Sequence, residues 1–116
     1  MTTTLPIRSI PHASPTPPDK RQALMQNPGF GKVFSDHMVT VKWNAENGWH
    51  DAELRARAPF AIDPAASVLH YAQEIFEGMK AYRTAQGIAL FRPEENARRM
   101  AQSAERMAMP AVPEEL

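Results

Sequence analysis

The sequence predicts an α+β fold with antiparallel strands. Three observations carry this. Two stretches alternate apolar and polar residues, or flank a short polar turn, as hairpins do. Two others repeat apolar residues at steps of three and four, as amphipathic helices do. The order along the chain is hairpin, helix, hairpin, helix, with no internal repeat and no βαβ unit.

The first hairpin is read from Met38–Asn44, where Val39, Val41 and Trp43 share one face and Thr40, Lys42 and Asn44 the other. Asn44-Ala-Glu-Asn-Gly48 supplies turn chemistry, with Asn47-Gly48 suited to positive φ. Beyond it Ala52, Leu54, Ala56 and Ala58 lie opposite Asp51, Glu53, Arg55 and Arg57, and Pro59 ends that strand or marks it as an edge. Asp63-Pro64 then reads as a helix start, N-cap followed by proline at the first helical position. Ala65, Val68, Leu69, Ala72, Ile75 and Phe76 form its stripe, and Gly78 is placed to end it. Met79–Thr84 and Gly87–Phe91 make a second hairpin around Ala85-Gln86-Gly87. The second helix starts at Pro93, with Glu94 and Glu95 where the positive end of the helix dipole favours anions. Its stripe is Ala97, Met100, Ala101, Ala104, Met107 and Ala108, and Pro110 and Pro113 stop it.

What precedes these elements has a different composition. Six of the eleven prolines fall in residues 1–28, each removing a backbone donor and holding its predecessor extended. Only Arg21–Met25 suggests periodicity, so 1–28 reads as a disordered or loosely docked arm, and 29–116 as the folded part. The arm lacks the apolar stretch of a secretory signal, and Arg8, Lys20 and Arg21 are too sparse for a transit peptide, which makes the cytoplasm the expected compartment.

Composition and motifs exclude several chemistries. Lys+Arg and Asp+Glu balance at 13 each, against a nucleic-acid or polybasic membrane partner. With no cysteine among the 116 residues, disulfides and thiolate chemistry are absent. His12, His37, His50 and His70 stand at no ligand spacing, so no metal site is expected. No phosphate-loop, dinucleotide or nucleophile-elbow motif occurs, and Ser35, Ser67 and Ser103 have no nucleophile context. Glu74 and Glu77 read as the solvated end of the first helix. On these grounds alone the chain is an α+β piece with no assignable activity.

The run His70-Tyr-Ala-Gln-Glu-Ile-Phe-Glu-Gly-Met-Lys-Ala-Tyr-Arg83 changes that reading, together with Leu90-Phe-Arg-Pro93 and Asn96-Ala-Arg-Arg-Met100. With Gly29-Phe-Gly-Lys-Val-Phe-Ser-Asp-His-Met38 and Val41-Lys-Trp-Asn44, it closely resembles the branched-chain amino-acid aminotransferases, fold-type IV pyridoxal-phosphate enzymes. The resemblance covers Asn27–Leu116, with several motifs in the right order, and implies that 29–116 is an incomplete N-terminal small domain of such an enzyme. D-amino-acid transaminase and aminodeoxychorismate lyase, other fold-type IV enzymes, share the shorter Phe-Glu-Gly feature and the later arginine. They generally lack the longer wording seen here.

The resemblance implies the following roles. Arg99 is similar to the arginine that holds the cofactor phosphate, a task suited to a guanidinium fork that stays charged at any working pH. By itself it would be one more solvated arginine off the apolar stripe. Phe30, Tyr71 and Phe76 resemble aromatics lining the substrate side-chain pocket, which suits Leu, Ile and Val by apolar burial. Taken alone each is a packing residue, Phe76 most plainly because it lies on the stripe; Tyr71 is off it, and resembles a tyrosine lent across a homodimer interface. The Schiff-base lysine of the family, and the glutamate that pairs with the pyridine nitrogen, match positions beyond Leu116. Lys20, Lys32, Lys42 and Lys80 are therefore not promoted, and no catalytic residue is assigned in this chain. The expected whole is a pyridoxal-phosphate transaminase of Leu, Ile or Val with 2-oxoglutarate, and the chain alone is expected to be inactive. The two other fold-type IV activities and a non-catalytic interaction module are the alternatives.

Overall fold

A computed structural model of the protein describes residues 5–116. It has two compact units, 5–60 and 61–116 among the described residues. Its elements are β1 (Arg8–Ser9), α1 (Pro18–Gln26), β2 (His37–Asn44), β3 (Gly48–Ala56), α2 (Ser67–His70), β4 (Ala81–Thr84), β5 (Gly87–Leu90) and α3 (Pro93–Arg106). The α+β class with antiparallel hairpins is as expected.

In 5–60, β2 and β3 pair antiparallel from His37↔Ala56 to Asn44↔Gly48. Asn44 Oδ1 accepts the Asn47 N–H at 2.7 Å, and Gly48 alone takes the positive φ, +63°. A bulge between Thr40 and Lys42 sets Asp51 and Ala52 against Val41, with Asp51 left-handed at φ 50°. Ala52 beside it is buried, whereas Val39 and Trp43 on the predicted apolar face stay about half exposed. Strand β3 ends at Ala56, two residues short of the expected Ala58, where Arg57 N–H donates to the Asp36 carbonyl. It is the middle strand, in the order β1-β3-β2, so Pro59 does not mark an edge.

The segment before Gly29 carries more structure than a disordered arm. Strand β1 pairs parallel with β3, Arg8↔Glu53 and Ser9↔Leu54, which no alternating pattern announces because it is two residues long. Arg8 also forms an ion pair with Glu53. The Asp36 carboxylate accepts both the backbone N–H (2.9 Å) and the hydroxyl (2.5 Å) of Thr16, which hold it below the usual aspartate range. Helix α1 opens on Pro18 at its first position and buries none of its side chains. Residues 8–16 thus contact β3 and Asp36. The division between compact units falls at 60/61.

In 61–116 the first predicted helix is corrected. Asp63 does initiate a turn, its Oδ1 accepting the Ala65 N–H at 2.7 Å, but α2 spans only Ser67–His70. Ala72 sits left-handed at φ 49° and stops it, and 73–80 has no regular secondary structure. Short helices draw most of their stability from an apolar face packed against something. Here that face lies open, Leu69 being 58% and Phe76 87% exposed. The second hairpin forms as expected, Ala81↔Leu90 to Thr84↔Gly87, around Gly87 at φ +119°. All eight of its strand residues are exposed. Helix α3 also forms as read, with Pro93 at its start, Glu94 and Glu95 in its first turn and Arg106 in its last. Its stripe buries Ala104 fully.

Candidate functional site

Helix α3 builds a polar cluster that joins several predicted features. Asn96 and Arg99, three residues apart, lie on the same side of the helix. Both reach the loop after Ala72. Arg99 donates through Nε to Glu77 Oε1 and through Nη2 to Oε2 at 3.0 Å, a two-pronged fork on one carboxylate. Asn96 Nδ2 lies 2.8 Å from Glu77 Oε2 and 2.9 Å from the Gly78 carbonyl oxygen, so it pins the loop backbone as well. The Glu77 side chain is 7% exposed and that of Arg99 67%. Hydrogen bonds from Arg99, then Asn96, hold the Glu77 carboxyl below the usual glutamate range, outweighing its desolvation. The same pair keeps Arg99 charged, above its ordinary value.

This corrects the reading of Glu77 as part of a solvated helix end. It is a sequestered acid on an irregular loop, because the helix expected to carry it does not extend past His70. Glu74, by contrast, is exposed. The charge pattern held one usable signal, an isolated acid next to Gly78 with Arg99 downstream, but their contact is tertiary and no spacing rule reaches it.

Along this face lies a groove of about 410 Å³, whose lining includes Ile75, Phe76, Arg99, Gln102 and Ser103. Gln73 Nε2 donates to the Met107 carbonyl at 3.0 Å and ties the loop to the end of α3. The structure therefore brings Phe76 and Arg99 to one groove. Tyr71, 84% exposed, is not among its lining residues. Phe30, 99% exposed, belongs to the 5–60 unit. None of the four lysines lines the groove; Lys80 Nζ instead stands 5.0 Å over the Tyr82 ring. Among the described residues no group of three His, Asp or Glu could hold a metal ion.

Chemically, the arrangement offers a guanidinium held by Glu77 beside an apolar aromatic, with the Ser103 hydroxyl but no lysine amine in the lining. That suits holding an anion carried by an otherwise apolar or aromatic molecule.

Sequence comparison finds relatives of the chain among the aminotransferases. Over this length it is homologous to branched-chain-amino-acid aminotransferases. It is 53% identical over 112 residues to a probable branched-chain-amino-acid aminotransferase of Streptomyces coelicolor, covering 96% of this chain and 31% of that protein. It is 53% identical over 97 residues to the branched-chain-amino-acid aminotransferase of Mycolicibacterium smegmatis, covering 83% and 26%. A probable branched-chain-amino-acid aminotransferase of Staphylococcus aureus is 45% identical over 101 residues, covering 83% and 28%. The chain thus spans about 30% of the length of these curated relatives. No family model matches the sequence. No helix of the described residues is long and apolar enough to cross a membrane.

Proposed function

We propose that this chain is the N-terminal part of a branched-chain amino-acid transaminase. The whole polypeptide moves an amino group from Leu, Ile or Val to 2-oxoglutarate, with pyridoxal phosphate as cofactor, as a homodimer in the cytoplasm. The observation that carries this is the 53% identity over 96% of the chain to a relative of that description.

The residues present fit one end of the cofactor. Arg99 spends its Nε and one Nη2 hydrogen on Glu77, which leaves the N–H groups of its outer edge for phosphate oxygens. Its two-thirds exposure leaves that edge accessible. When bound, the cofactor supplies the electron sink that transamination requires. No lysine lines this groove, so the role of these residues is to hold and orient the cofactor rather than to move a proton. Phe76, with Phe30 and Tyr71, contributes apolar surface for an aliphatic side chain, which gains roughly 0.8 kcal/mol per buried methylene. Tyr71 does so for the neighbouring subunit.

The test is an assay of the translated polypeptide with leucine and 2-oxoglutarate. Pyridoxal-phosphate-dependent glutamate formation is expected, and none from residues 1–116 alone. Release of aminobenzoate from aminodeoxychorismate, without transamination of leucine, would instead assign the lyase activity. A folded chain without any affinity for the cofactor would point to an interaction module.

A further inference from the structure

We infer that Glu77 is a positioning residue, which clamps the Arg99 guanidinium so that its outer edge is fixed toward an incoming phosphate. This rests on the proposed role of Arg99 as the phosphate hold.

The argument begins with the shape of the fork. A guanidinium is planar and presents two useful edges, Nε with one terminal nitrogen, and the two terminal nitrogens together. Glu77 occupies the first edge through both carboxylate oxygens. What remains is the second edge, with one N–H from each terminal nitrogen, and a further Nη1 N–H in the same plane. An arginine that is 67% exposed and unheld would sample many rotamers, and ordering them on binding weakens affinity. The pair places this ordering in the fold itself.

Glu77 is in turn held. Its side chain is 7% exposed, Asn96 donates to the carboxylate, and the same Asn96 nitrogen donates to the Gly78 carbonyl. Loop, acid and helix therefore form one unit, with the arginine outermost. A rival consequence of the same contact is competition: Glu77 neutralises Arg99 and would have to release it to phosphate. The two readings predict opposite signs. A clamp removed weakens phosphate binding, whereas a competitor removed strengthens it.

The test titrates pyridoxal phosphate, and separately inorganic phosphate, into the translated polypeptide and its variants Glu77→Ala, Glu77→Gln and Arg99→Ala. Affinity for pyridoxal phosphate is expected to fall about tenfold in Glu77→Ala, and by less in Glu77→Gln, which keeps an acceptor for Nε. In the unaltered protein the Arg99 Nε–H should give a resolved, slowly exchanging NMR signal that persists in Glu77→Gln and vanishes in Glu77→Ala. Its presence in the unaltered protein is read without any variant having to fold. Unchanged or tighter binding in Glu77→Ala, with Arg99→Ala still weakened, overturns the clamp and leaves the phosphate role of Arg99 standing. No weakening in Arg99→Ala overturns both. A fast-exchanging Arg99 Nε–H in the unaltered protein also overturns the clamp.

Discussion

Helices α2 and α3 lie in the same compact unit, yet one has four residues and the other fourteen. Helix α3 has proline at its start, two acids in its first turn, a base in its last, and Ala104 fully buried. After α2 come a left-handed alanine and a loop whose aromatic side chain is 87% exposed. End chemistry alone does not sustain a helix this short; a buried face does. The loop that results is useful, because it lets Glu77 turn back onto α3 and meet Arg99.

The sharpest way to break this contrast is proline. Ala101→Pro, inside α3, should destabilise the 61–116 unit by about 3 kcal/mol or more, through a lost hydrogen bond and a ring clash. Ile75→Pro, outside any helix, should leave the helical circular-dichroism signal unchanged. If Ile75→Pro lowers that signal as strongly, the loop is helical in solution and the contrast fails.

A second effect is read in the pH dependence. The folded protein keeps Glu77 ionised below the ordinary glutamate range, so the folded state binds fewer protons than the unfolded one. Its stabilising contribution is complete above the unfolded-state value and disappears as pH falls through the lowered one. Thermal unfolding from pH 7 down to 3 should therefore be less pH-dependent in Glu77→Gln than in the unaltered chain. Asp36, lowered by Thr16 in the other unit, should behave alike in Asp36→Asn.

Smaller again is Ala72→Gly. Left-handed backbone disfavours alanine, so glycine should stabilise the protein by about 0.5–1 kcal/mol in chemical denaturation, despite its greater unfolded-state entropy. Loss of stability there would mean that Ala72 belongs to a longer helix. The smallest change is expected for Arg98→Ala. That arginine pairs with Glu95 at an exposed position, where solvent screens the pair, so its removal should leave the denaturation midpoint nearly unchanged and cofactor affinity unaltered.

Both hairpins and α3 were legible because each is announced locally: alternation around Gly48 and Gly87, and a 3.6-residue stripe after Pro93. Strand β1 was not, because two residues carry no period and its partner lies 45 positions away. The length of α2 was misread because periodicity reports what could be buried, not whether a face to bury it against exists. At the site, Arg99 is singled out only by resemblance, and Glu77 has no local signal, since its environment arises only when the loop folds back. The aromatics proposed for the pocket are the least legible: Phe30, Tyr71 and Phe76 are exposed here, and nothing in their local pattern separates a packing residue from a binding one.

The central claim is that Arg99, presented by α3, is the phosphate hold of an aminotransferase. It is tested most directly by the affinity of the translated polypeptide for pyridoxal phosphate before and after Arg99→Ala, with Arg98→Ala as the neighbouring control. The account predicts a loss of at least about tenfold for Arg99→Ala and none for Arg98→Ala. Equal affinities in all three would contradict it.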